Sequence, residues 1–269
     1  MVGNASVNAP PFEPGTFAAW TGGIWQHGMP AAIRGVSNDT RTLAGGSLYV
    51  ALRGGNFDGH SFVRAAFAKG AAGAMVSSDW PAPDSPGGPV LRVSDTGVAL
   101  RAAAAAYRRA LNPEMIAITG SVGKTTVKEM MSSVLSARGI TARTQGNWNN
   151  EVGLPLSLLA MDPRTRLGVF ELGMNHPGEL APLCALLAPD WGIVTKIGPV
   201  HIEFFHSVEA IAREKAETFR CLPADGVGVY CADDEQAPVL AAAIACRRIT
   251  VALDCEADYT GAFEHGESG

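Results

Sequence analysis

The chain lacks the marks of a secreted or membrane-spanning protein. Its start, MVGNASVNAPPF, carries neither a basic segment nor an apolar run, so no secretory signal is read there. No run of about 18 uninterrupted apolar residues occurs, so no membrane span is expected. Charge is sparse as well. Lys and Arg number 21 against 26 Asp and Glu, and the net charge of −5 gives no electrostatic case for nucleic acid or anionic lipid. Any phosphate site must then come from local geometry. The five cysteines (Cys184, Cys221, Cys231, Cys246 and Cys255) form no close metal-type pairs. Scattered among apolar residues, they are expected to be reduced core thiols of a cytoplasmic protein. What the chain does have is apolar residues, 47% of 269, enough for about two packed domains.

From Ile33 onward short apolar runs alternate with helical patterns. Strands are expected at Leu48–Leu52, Ala74–Ser77 and Val90–Val93, with a helix over His60–Lys69. The stretch Pro81–Pro89, PAPDSPGGP, reads as a turn-rich loop. Asp95 is placed to cap a long helix through Leu111, because its carboxylate can accept from the free amides of a first turn. Asn112-Pro113 breaks that helix, and the domain boundary falls there: residues 1–112, then 113–269. Beyond it, strands at Met115–Thr119, Leu167–Leu172, Gly192–Thr195, Val227–Tyr230 and Ile249–Leu253 alternate with helices at Pro177–Leu187, Val208–Leu222 and Glu235–Ala245. Such alternation implies a parallel sheet of the α/β class.

The sharpest local signal runs from Thr119 through Gly120, Ser121, Val122, Gly123, Lys124 and Thr125 to Thr126. It follows an apolar strand and opens a helix, which is the setting of a phosphate-binding loop. Glycines let successive amides turn toward phosphate oxygens, and the helix N-terminus adds partial positive charge. Lys124 would reach the terminal phosphates and Thr125 would offer its hydroxyl to Mg²⁺. The spacing departs from the common pattern: two residues separate Gly120 from Gly123, where four are usual. Glu171 ends an apolar strand, where a carboxylate can either take Mg²⁺ or lie solvated. His201, alone, reads more readily as a satisfied structural residue than as a ligand, and Lys215 as a member of a solvated helix face.

Taken in order, GSVGKTTVKEMM, QGNWNNEVGLPLSLL, FELGMNHPGEL and HIEFFHSVEAIAREKAETF resemble the Mur ligase family. The earlier segments SNDTR (Ser37–Arg41), LYVAL and FDGHSF are similar to its uridine-nucleotide domain. ELGMN, in place of a Ser-Ser-His segment, resembles the branch that adds D-alanyl-D-alanine to UDP-N-acetylmuramoyl-tripeptide. The resemblance implies a small N-terminal UDP-precursor-binding α/β domain followed by a P-loop parallel-sheet ATPase domain. It also implies ATP and Mg²⁺ as cofactors and an acyl phosphate made from ATP and attacked by the amine of D-alanyl-D-alanine. Lys124, Lys215 and His201 become catalytic, and Gly120 to Thr126 bind ATP. Thr125, Glu171, His201 and Lys215, the last as a carbamate, hold metal. Ser37, Thr40, Arg41, Asn147, Asn149 and Asn150 face substrate. A monomer is expected. The alternatives are a diaminopimelate- or lysine-adding relative, or a non-catalytic module that binds UDP-precursor or ATP.

Three positions depart from the family pattern: Lys196 stands where Asn is usual, His206 where Gly is usual, and Trp148 where Tyr is usual. If position 206 takes a positive φ, a His there is strained. The resemblance runs from about Gly35 to Asp258, and the chain ends at Gly269, inside what would be the ATPase domain, with a tail EHGESG that reads as an exposed end. Ligation by this chain alone is therefore not expected.

Overall fold

A computed structural model of the chain describes residues 12–55, 57–81 and 86–261. The tail read as an exposed end, and residues 82–85 of the expected loop, lie outside the described residues. The structure divides into two compact units, residues 1–112 with 152–165, and residues 113–151 with 166–269.

The first unit opens with helix α1 (Pro14–Thr21) and strands β1 (Ile24–Gln26), β2 (Val36–Ser37) and β3 (Leu48–Val50). A short hairpin of β4 (Arg53–Gly54) and β5 (Phe57–Asp58) leads through a 3₁₀ turn at Gly59–Phe62 into α2 (Val63–Ala68). Strands β6 (Gly73–Ser77) and β7 (Val90–Val93) and helix α3 (Thr96–Leu111) follow. The sheet order is β1-β7-β6-β3-β2, parallel except for β1 against β7. Strand β6 is buried at all five positions, the near-continuous apolar run that a strand covered on both faces requires. Asp95 caps α3 as expected, accepting from the Val98 amide at 2.7 Å. Asn112 ends α3 in the left-handed conformation, and Pro113 cannot continue it.

The second unit begins with β8 (Glu114–Thr119), α4 (Lys124–Leu135) and β9 (Thr141–Arg143). The chain then supplies α5 (Gly153–Leu159) to the first unit before returning as β10 (Leu167–Glu171). Residues 152–165, assigned by sequence to the second domain, thus pack with the first. Next come α6 (Leu180–Leu187), β11 (Trp191–Val194), α7 (Ile202–Phe205), α8 (Val208–Lys215) and α9 (Glu217–Arg220). Strand β12 (Val227–Cys231), α10 (Ala237–Ala242), β13 (Arg247–Ala252) and β14 (Tyr259–Thr260) complete it. The order β14-β13-β12-β11-β8-β10-β9 is parallel throughout. After β8 the chain builds toward one edge, and after β10 it crosses back to β11 on the other side of β8. The carboxyl ends of β8, β10 and β11 therefore surround a topological switch point, where open α/β sheets bind ligands.

The five cysteines are free thiols, but only Cys184 is buried and Cys255 is exposed. An apolar neighbourhood in sequence did not imply core positions for the rest: Cys221 caps α9, Cys231 ends β12, and Cys246 and Cys255 lie between elements.

Candidate functional site

At the end of β8 the backbone makes the turn that the glycines permit. Gly120 has φ +150° and Gly123 φ +88°. A Cβ on Gly120 would lie 2.0 Å from the Thr195 hydroxyl, so the position admits no side chain. Residues just past β11 clamp the loop. The Ser121 amide donates to the Lys196 carbonyl at 2.6 Å, the Ser121 hydroxyl donates to the Gly198 carbonyl at 3.0 Å, and Thr195 Oγ1 donates to the Val122 carbonyl at 2.6 Å. Lys124 folds back over the loop, its Nζ donating to the Gly120 carbonyl at 2.8 Å. A cation is thereby held over a cradle of free amides at the start of α4.

Three elements meet at Glu171, which ends β10 and is 4% exposed. Thr125 Oγ1, on the first turn of α4, donates to Glu171 Oε2 at 2.9 Å, and Asn149 Nδ2 donates to Oε1 at 2.9 Å. The Glu171 amide donates to Thr144 Oγ1 at 2.9 Å. The alternative of a solvated strand-end carboxylate is therefore overturned. A hydroxyl and a carboxylate in contact at the mouth of a phosphate loop form the oxygen donor set that Mg²⁺ prefers.

Lys215, at the end of α8, is 2% exposed, which corrects the solvated-face reading of its residue type. Burial, followed by the positive charge of Lys124, lowers its pKa to about 7, against a smaller opposing effect of Glu214. Among the described residues its amine makes no hydrogen bond or ion pair. His201 caps the N-terminus of α7 with φ +57°. Among the described residues no three His, Cys, Asp or Glu side chains converge as a metal group. Asn147 is exposed in a turn, and Asn149 donates to Glu171.

The departures acquire causes. Lys196 Nζ lies 3.9 Å from Asp234 Oδ2, a buried carboxylate that also accepts from the Ile197 amide at 2.8 Å. Its extra charge is thereby partly matched. His206 does take a positive φ, +63°, as the cap that closes α7, its amide donating to the Ile202 carbonyl at 2.7 Å. Trp148 is half exposed.

In the first unit, Thr40 and Arg41 line a cavity of about 470 Å³ with Asn38, Asp39, Tyr49, Phe57 and Phe62. Asp39 grips Arg41 through two guanidinium nitrogens at 3.0 and 2.7 Å, and these bonds pull its pKa down to about 2. Ser37 is not in the lining: its hydroxyl instead exchanges hydrogen bonds with the Asp39 backbone at 3.2 Å. Phe57 and Phe62 begin and end the FDGHSF segment that resembles the uridine-nucleotide domain, though neither is among the expected site residues; their rings stack at 5.4 Å with 19° between planes. Two exposed aromatics flanking a turn were the available signal.

A seven-stranded parallel sheet with a Gly-rich loop, Lys and Thr at its switch point defines an α/β protein of the P-loop class. Comparison with known proteins narrows that class. The Mur ligase middle domain matches residues 118–268, and the Mur ligase family catalytic domain matches residues 32–138. The chain belongs to the Mur ligase family. It is 40% identical to the UDP-N-acetylmuramoyl-tripeptide–D-alanyl-D-alanine ligase of Bacillus subtilis, over 84% of this chain and 49% of that one. The Escherichia coli ligase of the same name is 40% identical over 77% of this chain and 45% of that one. Among solved structures, MurF from Acinetobacter baumannii superposes with a TM-score of 0.84 at 32% identity, covering 91% of this chain and 54% of that one. MurF from Thermotoga maritima in complex with ADP gives 0.72 at 26% identity, over 82% and 51%. The chain spans about half the length of the curated relatives it matches.

Proposed function

We propose that this chain carries the UDP-precursor and ATP sites of a ligase that joins D-alanyl-D-alanine to UDP-N-acetylmuramoyl-tripeptide in the cytoplasm. The observation that carries the reading is the contact of Thr125 with Glu171 beside Lys124, on a chain 40% identical to ligases of that name.

The reaction must replace a carboxylate oxygen by nitrogen, and oxide is too poor a leaving group to depart unaided. Transfer of the γ-phosphoryl group from ATP to the tripeptide carboxylate forms an acyl phosphate. The D-alanyl-D-alanine amine attacks that carbonyl and phosphate leaves. Negative charge grows on phosphoryl oxygens, so positioning and cations dominate the rate. The loop Gly120–Thr126 would hold the phosphates through amides other than that of Ser121, which the Lys196 carbonyl occupies, and Lys124 would leave the Gly120 carbonyl to meet the γ-phosphate. Mg²⁺, held by Thr125 and Glu171, would supply further positive charge. His201 would join as a second metal ligand. With its pKa drawn down to about 7, Lys215 reaches its neutral form near neutral pH, and a neutral amine is the form that adds CO₂ to give a carbamate. The cavity beside Thr40 and Arg41 would take the uridine nucleotide, with Ser37 supporting it through Asp39. Asn147, Asn149 and Asn150 would border both substrates.

The test is phosphate release with UDP-N-acetylmuramoyl-tripeptide and ATP, with and without D-alanyl-D-alanine. It is run on this chain and on one completed with the remaining half of the Bacillus subtilis relative. D-alanyl-D-alanine dependence in the completed protein is expected. Equal turnover with diaminopimelate or lysine on a dipeptide precursor would overturn the substrate assignment.

A further inference from the structure

Lys128 is a buried charge that the nucleotide chemistry above leaves unused. It lies one turn beyond Lys124 on α4 and is 1% exposed. Its Nζ donates to the Thr144 carbonyl at 3.1 Å and lies 3.2 Å from Glu129 Oε1. Glu129 is half exposed, and its other oxygen is taken by Arg143 at 2.8 Å. Taking an ammonium out of water is costly unless it is paired and hydrogen-bonded, and an apolar side chain would fill the same space without that penalty. Retaining a lysine there needs a reason in what it holds.

What it holds is Thr144, itself buried, whose hydroxyl receives the Glu171 amide at 2.9 Å and whose own amide donates to the Val169 carbonyl at 3.3 Å. Residue 144 therefore straps the exit of β9 to the end of β10. Lys128 ties that strap to the helix that carries Thr125. Thr125 and Glu171 come from elements far apart in sequence, and their 2.9 Å contact depends on α4 and the end of β10 keeping register.

We propose that Lys128 is a positioning residue for the Mg²⁺-nucleotide site: acting through Thr144, it fixes Glu171 against Thr125 without touching the nucleotide. Its role presupposes the ATP and Mg²⁺ assignment made above. Groups that orient metal ligands change metal affinity by about 10–100-fold when removed. A merely structural lysine would alter stability and leave the metal response alone.

The measurement is ADP binding by calorimetry to the purified chain, at zero Mg²⁺ and across a Mg²⁺ titration, for wild type, Lys128→Met, Lys128→Arg and Thr144→Val. Circular dichroism checks folding. In Lys128→Met and Thr144→Val, the Mg²⁺ concentration for half-maximal enhancement should rise by about tenfold or more, with metal-free ADP affinity within about twofold of wild type. Lys128→Arg, which keeps a donor, should recover part of that loss. Should Lys128→Met not fold, Thr144→Val carries the same expectation from the other end of the strap. An unchanged Mg²⁺ response in a folded variant overturns the role of Lys128 alone. Wild-type protein that binds ADP without any Mg²⁺ enhancement overturns the metal assignment, and the role of Lys128 with it.

Discussion

At the scale of single residues, Lys215 shows how environment overrides residue type. On sequence it is one lysine among the charges of α8, yet folding seals it from water and draws its pKa from 10.5 to about 7. Between those values the unfolded chain binds more protons than the folded one. Stability therefore rises with pH across the window from about 7 to 10.5, and the full penalty applies below 7. Lys215→Met should be more stable than wild type at pH 6.5, by on the order of 2–4 kcal/mol. The gap should close toward pH 10.5. Urea denaturation in bicarbonate-free buffer at several pH values measures it, and a gap independent of pH would contradict an amine with a depressed pKa. The site therefore carries a stability penalty at neutral pH, consistent with a residue kept for its chemistry.

At the scale of elements, the strand–loop–helix unit from Glu114 to Leu135 was legible because each part signals separately. The strand carries the apolar run Met115–Ile118, the loop has its glycines, and the helix starts at Lys124 as expected. The unusual Gly spacing matters less than the backbone it serves. Gly120→Ala would place a methyl group on the Thr195 hydroxyl at a φ that side chains rarely adopt. It should cost about 1–3 kcal/mol and remove detectable ADP binding. Calorimetry on the folded variant checks this, and wild-type ADP affinity would mean that the loop is not the phosphate cradle. Other elements gave little signal. Helix α5, GLPLSLL, is buried at every position, so it lacks the polar face that makes helical period visible. Strand β9 has only three residues at a sheet edge. Thr144 and Lys128 were invisible for a different reason, since their partners lie on other elements and only tertiary pairing brings them to Glu171.

At the scale of the whole molecule, the chain is less modular than its sequence suggests. The motifs place a boundary at Asn112-Pro113, but the first unit is completed by residues 152–165. Leu154, Leu156, Leu158 and Leu159 of α5 are buried, and α5 packs on α3. The Tyr107 hydroxyl, also buried, donates to the Met161 carbonyl at 2.8 Å. Burying each leucine contributes about 1.5–3 kcal/mol, so α5 supplies an amount comparable to the 5–15 kcal/mol net stability of an ordinary domain. Residues 1–112 expressed alone should therefore lose a cooperative melt and bind a hydrophobic dye, because α3 would expose the apolar face that α5 covers. Joining residue 112 to residue 152 through roughly twelve Gly/Ser residues, which reach about 19 Å on average, restores the missing helix without the second unit. That fusion, ending at residue 165, should melt cooperatively and bind UDP-N-acetylmuramoyl-tripeptide, since Thr40, Arg41, Phe57 and Phe62 all lie within it. Differential scanning calorimetry and ligand-induced shifts in melting temperature compare the two proteins. A cooperative melt of the 1–112 fragment at the same temperature as the fusion would show that α5 is dispensable. Binding by neither protein, with the fusion folded, would instead remove the cavity from the uridine-nucleotide assignment.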